Sequence, residues 1–131
     1  MSRRELREQI FMLLFRVEFN SPEDMAEQEE LFFEQEDAAQ GEDADYISDK
    51  FNKISGRITE LDGLLNQKAE GWNTARMGKV DLTILRLAVY EIRYDDSVPT
   101  GVAINEAVEL AKKFGQEASA GFVNGILAKF A

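Results

Sequence analysis

The chain has 131 residues with 44% apolar and 31% charged side chains, a formal net charge of −10, and no cysteine or histidine. That length suits one domain with a core of its own. The missing residue types exclude disulfides, thiol nucleophiles, zinc–thiolate sites, imidazole ligands and a Ser-His-Asp triad. The charge is partitioned: residues 1–16 carry +2, residues 17–49 carry thirteen acids and no base, and residues 50–131 carry +1. A pI near 4.5 therefore does not by itself exclude nucleic acid, because phosphate recognition depends on local positive charge.

Apolar spacing is helical from the start. Leu6, Ile10, Leu13, Leu14 and Val17 fall on one helix face. Ser21-Pro22-Glu23-Asp24 reads as the next helix start, with Ser21 as cap, Pro22 in the first turn and Asp24 closing a capping box. This second helix, over about 22–38, buries Met25, Leu31 and Phe32 at most, and a loop is expected from Ala39 to Asp43. Between Ala44 and Lys68, Ile47, Phe51, Ile54, Ile58, Leu61 and Leu65 keep the same rhythm. Gly56 and Gly63 are the points where that stretch could divide into two helices.

Residues 69–78 form a connector with the only tryptophan, Trp72, expected as a buried anchor between two sub-bundles. The helix over about 79–94 is nearly all apolar, apart from a stripe of Thr83, Arg86, Tyr90 and Arg93, so it is expected to be central. Arg86 is expected to be buried, paired with Glu91 or Glu106. Residues 95–100 make a turn. A helix through Ile104, Ala107, Val108, Ala111 and Phe114 follows, with Gly115 as its C′ residue. Ser119 is expected to cap a last helix that packs through Val123, Ile126, Leu127 and Phe130. Asn105, Asn124 and Gly125 read as architecture, the asparagines bonding backbone and the glycine permitting close packing. No segment alternates with period two. The expected fold is all-α, with six or seven helices in two small sub-bundles, about 1–68 and 72–131, within one domain over 1–131.

Specific strings then stand out. They are Trp72-x-x-x-Arg76, Val80-Asp81 leading to Ile84-Leu85-Arg86-Leu87-Ala88-Val89-Tyr90-Glu91, and Val98-Pro99. Ala103 to Lys112 (AINEAVELAK), Phe114-Gly115 and Phe122-Val123-Asn124-Gly125-Ile126-Leu127 follow. In that order they resemble the NusB family of bacterial transcription antitermination factors. The resemblance runs the length of the chain and is strongest from Trp72 onward. It implies an all-helical RNA-binding protein without cofactor, metal or catalysis. It also implies that boxA RNA is bound together with the ribosomal protein NusE, and that the complex joins other Nus factors on RNA polymerase. It leaves a homodimer open.

The candidate RNA-binding residues are Arg3, Arg4, Arg7, Lys79 and Phe122. On a helix Arg3 and Arg7 lie one turn apart with Arg4 beside them, and the planar guanidinium fork suits phosphate oxygens. Composition alone reads them as a solvated helix end, with Arg4 or Arg7 paired to Glu8; the resemblance favours RNA. Glu5 interrupts the cluster, so RNA affinity is expected to depend on the partner. Lys79, near a helix start, is a phosphate candidate. Phe122 either extends the buried face of its helix or stands at its edge, where a base could stack; the family places RNA near it. The acidic segment 17–49 reads as a solvated, variable hairpin that faces away from RNA.

The alternative function is a helical protein-interaction domain of the same fold without direct RNA binding. NusB-like domains also occur attached to RNA methyltransferases, but no catalytic domain follows Ala131, so a free-standing adaptor is expected. A carboxylate enzyme using Mg²⁺ would need acids converging in a pocket, and these acids lie on one weakly apolar hairpin. No apolar run reaches the length of a membrane span and no signal peptide is evident, so a cytoplasmic protein with no membrane contact is expected.

Overall fold

The computed structural model describes residues 1–131. It contains seven α-helices and no strand: α1 (Arg3–Phe15), α2 (Met25–Phe33), α3 (Gly41–Ser55), α4 (Ile58–Lys68), α5 (Lys79–Tyr94), α6 (Thr100–Phe114) and α7 (Ser119–Leu127). The chain divides into two compact units, Met1–Gly56 and Arg57–Ala131. The division falls at Gly56, where the long third stretch breaks into α3 and α4, and not near residue 70. The reason is that α4 packs on α5 and so belongs with the second unit.

In the first unit α1 packs on α3. Ile10, Leu13 and Leu14 of α1 and Ile47, Phe51 and Ile54 of α3 are buried, as the helical spacing predicts. The α2 segment is shorter than expected. Pro22–Asp24 forms a 3₁₀ turn, and Ser21 Oγ donates to Asp24 Oδ2 (2.9 Å) instead of capping a backbone N–H. Leu31 is exposed and Phe32 alone is buried in α2. Arg16 ties α1 to α2: Nη1 donates to the Gln28 carbonyl oxygen (3.2 Å) and the guanidinium lies 5.3 Å over the Phe32 ring. Glu29 ties α2 to α3 by accepting from Ser48 Oγ (2.8 Å) and Asn52 Nδ2 (3.1 Å).

In the second unit α5 packs against α4, α6 and α7, and every residue from Leu82 to Glu91 is buried. Its polar residues are accommodated singly. Thr83 Oγ1 donates to the Lys79 carbonyl oxygen at 2.8 Å. Arg86 closes a two-point ion pair on Asp62 of α4, with Nε–Oδ1 and Nη2–Oδ2 both 2.8 Å. The sequence pattern points to Glu91 or Glu106 and does not point to Asp62. Asp62 lies 24 residues upstream in sequence, so only the packing of α4 on α5 reveals it.

The α6–α7 corner also differs from expectation. Gly115 is extended (φ −92°, ψ −170°), not left-handed. Glycine is required there by space: a Cβ would lie 2.6 Å from both Ser119 Cβ and Oγ and 2.7 Å from the Ala111 carbonyl oxygen. Ser119 is buried, and its hydroxyl accepts from the Gln116 backbone N–H (2.9 Å), so it braces the corner and does not cap α7. Asn105, Asn124 and Gly125 are exposed, and no atom lies within 4 Å of a Cβ built on Gly125. Their helix faces point outward, which removes the packing role read from sequence.

Candidate nucleic-acid interface

The start of α1 is built by local chemistry. Ser2 Oγ accepts from the Glu5 backbone N–H (3.1 Å), and Glu5 Oε1 accepts from the Ser2 N–H (2.9 Å), which completes a capping box. Ser2-x-x-Glu5 is the sequence signal for it, overlapping the arginine cluster. The backbone hydrogen bond from Ser2 holds the Glu5 carboxyl below the ordinary glutamate range. The N-terminal ammonium donates to Asp43 Oδ2 at 3.0 Å, and that hydrogen bond raises its pKa. Asp43 is one of the thirteen acids, so the acidic segment does not wholly face away from the arginine-bearing helix end.

On this framework Arg3 and Arg4 are exposed, whereas Arg7 is only 9% exposed. Glu5 therefore serves the helix and does not merely interrupt the basic run. Of the three arginines, the first two are exposed.

The other two candidates meet in the second unit. Asn66 Oδ1 accepts from the Thr74 N–H (2.9 Å) and Asn73 Oδ1 from the Arg76 N–H (3.2 Å), which shapes the connector between α4 and α5. Gly71 turns the chain at φ +79°, a left-handed value that costs glycine nothing. Trp72 then projects outward with 52% of its surface exposed. It is not the buried anchor expected of the only tryptophan. Its ring meets Phe122 edge to face, with centroids 5.0 Å apart and planes at 72°. Phe122 is half-buried, one turn into α7, and so stands at the edge of its buried face.

The two aromatics border a cavity of about 240 Å³ that also has Arg76, Met77, Asp81 and Gln116 in its wall. An adjoining depression of about 370 Å³ includes Lys79 and shares Gly78, Asp81 and Gln116. Lys79 is exposed at the first turn of α5, where the helix dipole is positive. Stacking surface, cation and helix N-terminus thus converge on one corner. No group of three or more acids is placed to hold a metal ion, and no helix is long and apolar enough to cross a membrane.

Known proteins resemble the chain over its whole length. The model of the NusB family matches residues 4–131. The chain belongs to the NusB family. It is 52% identical over 131 residues to the transcription antitermination protein NusB of Agathobacter rectalis, covering 100% of both chains. It is 51% identical over 129 residues to that of Lachnoclostridium phytofermentans, covering 98% of each. Among solved structures, T. maritima NusB superposes with a TM-score of 0.88 at 34% identity, over 100% of this chain and 91% of that one. A NusB solved with NusE and dsRNA superposes with a TM-score of 0.84 at 25% identity, over 98% of this chain and 94% of that one. The all-helical NusB fold expected from the strings after Trp72 is the fold observed.

Proposed function

We propose that this chain is a transcription antitermination factor that binds boxA-type RNA jointly with the ribosomal protein NusE and then joins other Nus factors on RNA polymerase. It acts in the cytoplasm, by binding and without catalysis. The observation that carries the reading is the family match over residues 4–131, supported by the likeness to a NusB solved with NusE and dsRNA. Arg3, Arg4 and Lys79 supply phosphate contacts, and Phe122 supplies a stacking edge. Arg7, being buried, supports the arginine-bearing turn more than it meets RNA directly. The exposed acids of residues 17–49 add no affinity for phosphate and leave a surface suited to a basic protein.

The test is a fluorescence-anisotropy titration of boxA RNA, with and without NusE, at two salt concentrations. RNA should bind more tightly with NusE present. Reversing Arg3 and Arg4 to glutamate should weaken binding and flatten the salt dependence by about 0.7 in log–log slope for each single-strand phosphate lost. An RNA affinity indifferent to NusE and to this double reversal would favour the protein-interaction alternative.

A further inference from the structure

Trp72 is the chain's only tryptophan, yet it leaves 52% of its surface in solvent. A large aromatic ordinarily recovers its apolar area by burial, and one held open beside a cavity is positioned to meet a flat partner. The indole is not loose. Phe122 fixes it edge to face at 5.0 Å, and the Asn66 and Asn73 bonds hold the backbone that follows it.

Size narrows what the corner can take. At about 240 Å³, the cavity falls below the roughly 300 Å³ at which pockets for whole small molecules begin. One planar ring fits the space. The wall is mixed: Met77 is apolar and buried, the exposed Arg76 offers a guanidinium to a phosphate or a ring face, and the Asp81 carboxylate can accept from a base amino group.

We propose that Trp72 and Phe122 together form a slot for one unpaired nucleobase of single-stranded RNA, with Trp72 as the principal stacking surface and Arg76 at the neighbouring phosphate. The assignment rests on the RNA-binding reading above and adds to it one residue, Trp72, whose apolar character alone would place it in the core. A base inside a duplex has both faces occupied, so the slot selects unpaired RNA. Stacking on an aromatic face is tolerant of base identity. The slot therefore adds affinity and strand selectivity more than sequence preference.

Because Trp72 is the sole tryptophan, its emission reports directly on the slot. The experiment titrates the full chain with NusE present, using single-stranded boxA RNA and the same RNA as a duplex. It subtracts the Trp72→Phe complex as a tryptophan-free baseline. Single-stranded RNA should quench Trp72 and the duplex should not. By anisotropy, Trp72→Leu should weaken single-strand binding about tenfold, which corresponds to about 1.4 kcal/mol and lies within the range for one stacked base. Its salt slope should match wild type, since no charge is lost, and Trp72→Phe should keep most of the affinity.

Three results overturn the slot while leaving the RNA reading intact: unquenched emission with RNA bound, unchanged affinity in Trp72→Leu, or equal quenching by the duplex. Quenching by NusE alone also overturns it, since the slot would then hold a protein side chain. No RNA binding by wild type under any condition would fail the underlying reading itself.

Discussion

The bonds that cap the arginine-bearing start of α1 are exposed, whereas the Trp72–Phe122 corner stands on buried contacts between distant parts of the chain. At the first, the capping box and the terminal ammonium on Asp43 are exposed hydrogen bonds. At the second, α7 can turn beside α6 only because Gly115 lacks a side chain, and α5 is held to α4 by Arg86 and Asp62. Exposed bonds compete with water and yield little net stability, while buried ones become costly once a partner is lost. Substitutions among the supports of the first place should therefore cost little stability, and those among the buried supports of the second should cost more.

The sharpest way to break that contrast is Asp62→Ala. It leaves the Arg86 guanidinium, 7% exposed as a residue, without its two-point partner. The expected loss is toward the lower end of roughly 3–5 kcal/mol, because the Asp62 side chain is still 22% exposed. Urea denaturation measures it, and a loss no larger than that of a surface pair would refute the buried role of Arg86.

Gly115→Ala ranks next. The new Cβ would crowd Ser119 and the Ala111 carbonyl at 2.6–2.7 Å, and overpacking of this kind costs about 1–3 kcal/mol. A lower Tm with an undisturbed far-UV spectrum is expected. A neutral result would mean that the α6–α7 corner yields more readily than its contacts imply.

The smallest effects belong to the α1 start, and they depend on pH. Glu5 has a depressed pKa, so its contribution is present above the ordinary glutamate value and fades as pH falls through the depressed one. The terminal ammonium has a raised pKa, so its contribution is complete below about 8.0 and fades as pH rises through the raised value. The first turn of α1 should be firmest between those limits, as read from the backbone amide shifts of Arg3 to Leu6. Ser2→Ala should cost about 1 kcal/mol and move the acid transition up toward the ordinary glutamate value. Neither change should disturb Trp72 emission, and a response there would blur the distinction between the two regions.

The chain order of helices was legible because it is written in local terms. Apolar residues at three- and four-residue spacing predicted α5 over about 79–94, and it spans Lys79–Tyr94. The break offered at Gly56 is real, whereas Gly63 passes unnoticed inside α4. Of the candidate site, Lys79 and Phe122 are brought to adjoining cavities, and Arg3 and Arg4 are exposed. The strings from Trp72 onward are specific enough to indicate the family from sequence alone.

What stayed illegible was every property that depends on which helix lies beside which. Arg86 needed a carboxylate, and Asp62 reaches it only because α4 packs on α5. Gly115 looked like a left-handed stop and is instead a close approach to Ser119. Arg7 read like its neighbours and is buried, and Trp72 read like core and is exposed. Local spacing determined the helices and the family, because periodicity and capping act within a few residues. Tertiary structure alone decided which charged and aromatic groups reach solvent, because burial is set by contacts between residues far apart in the chain.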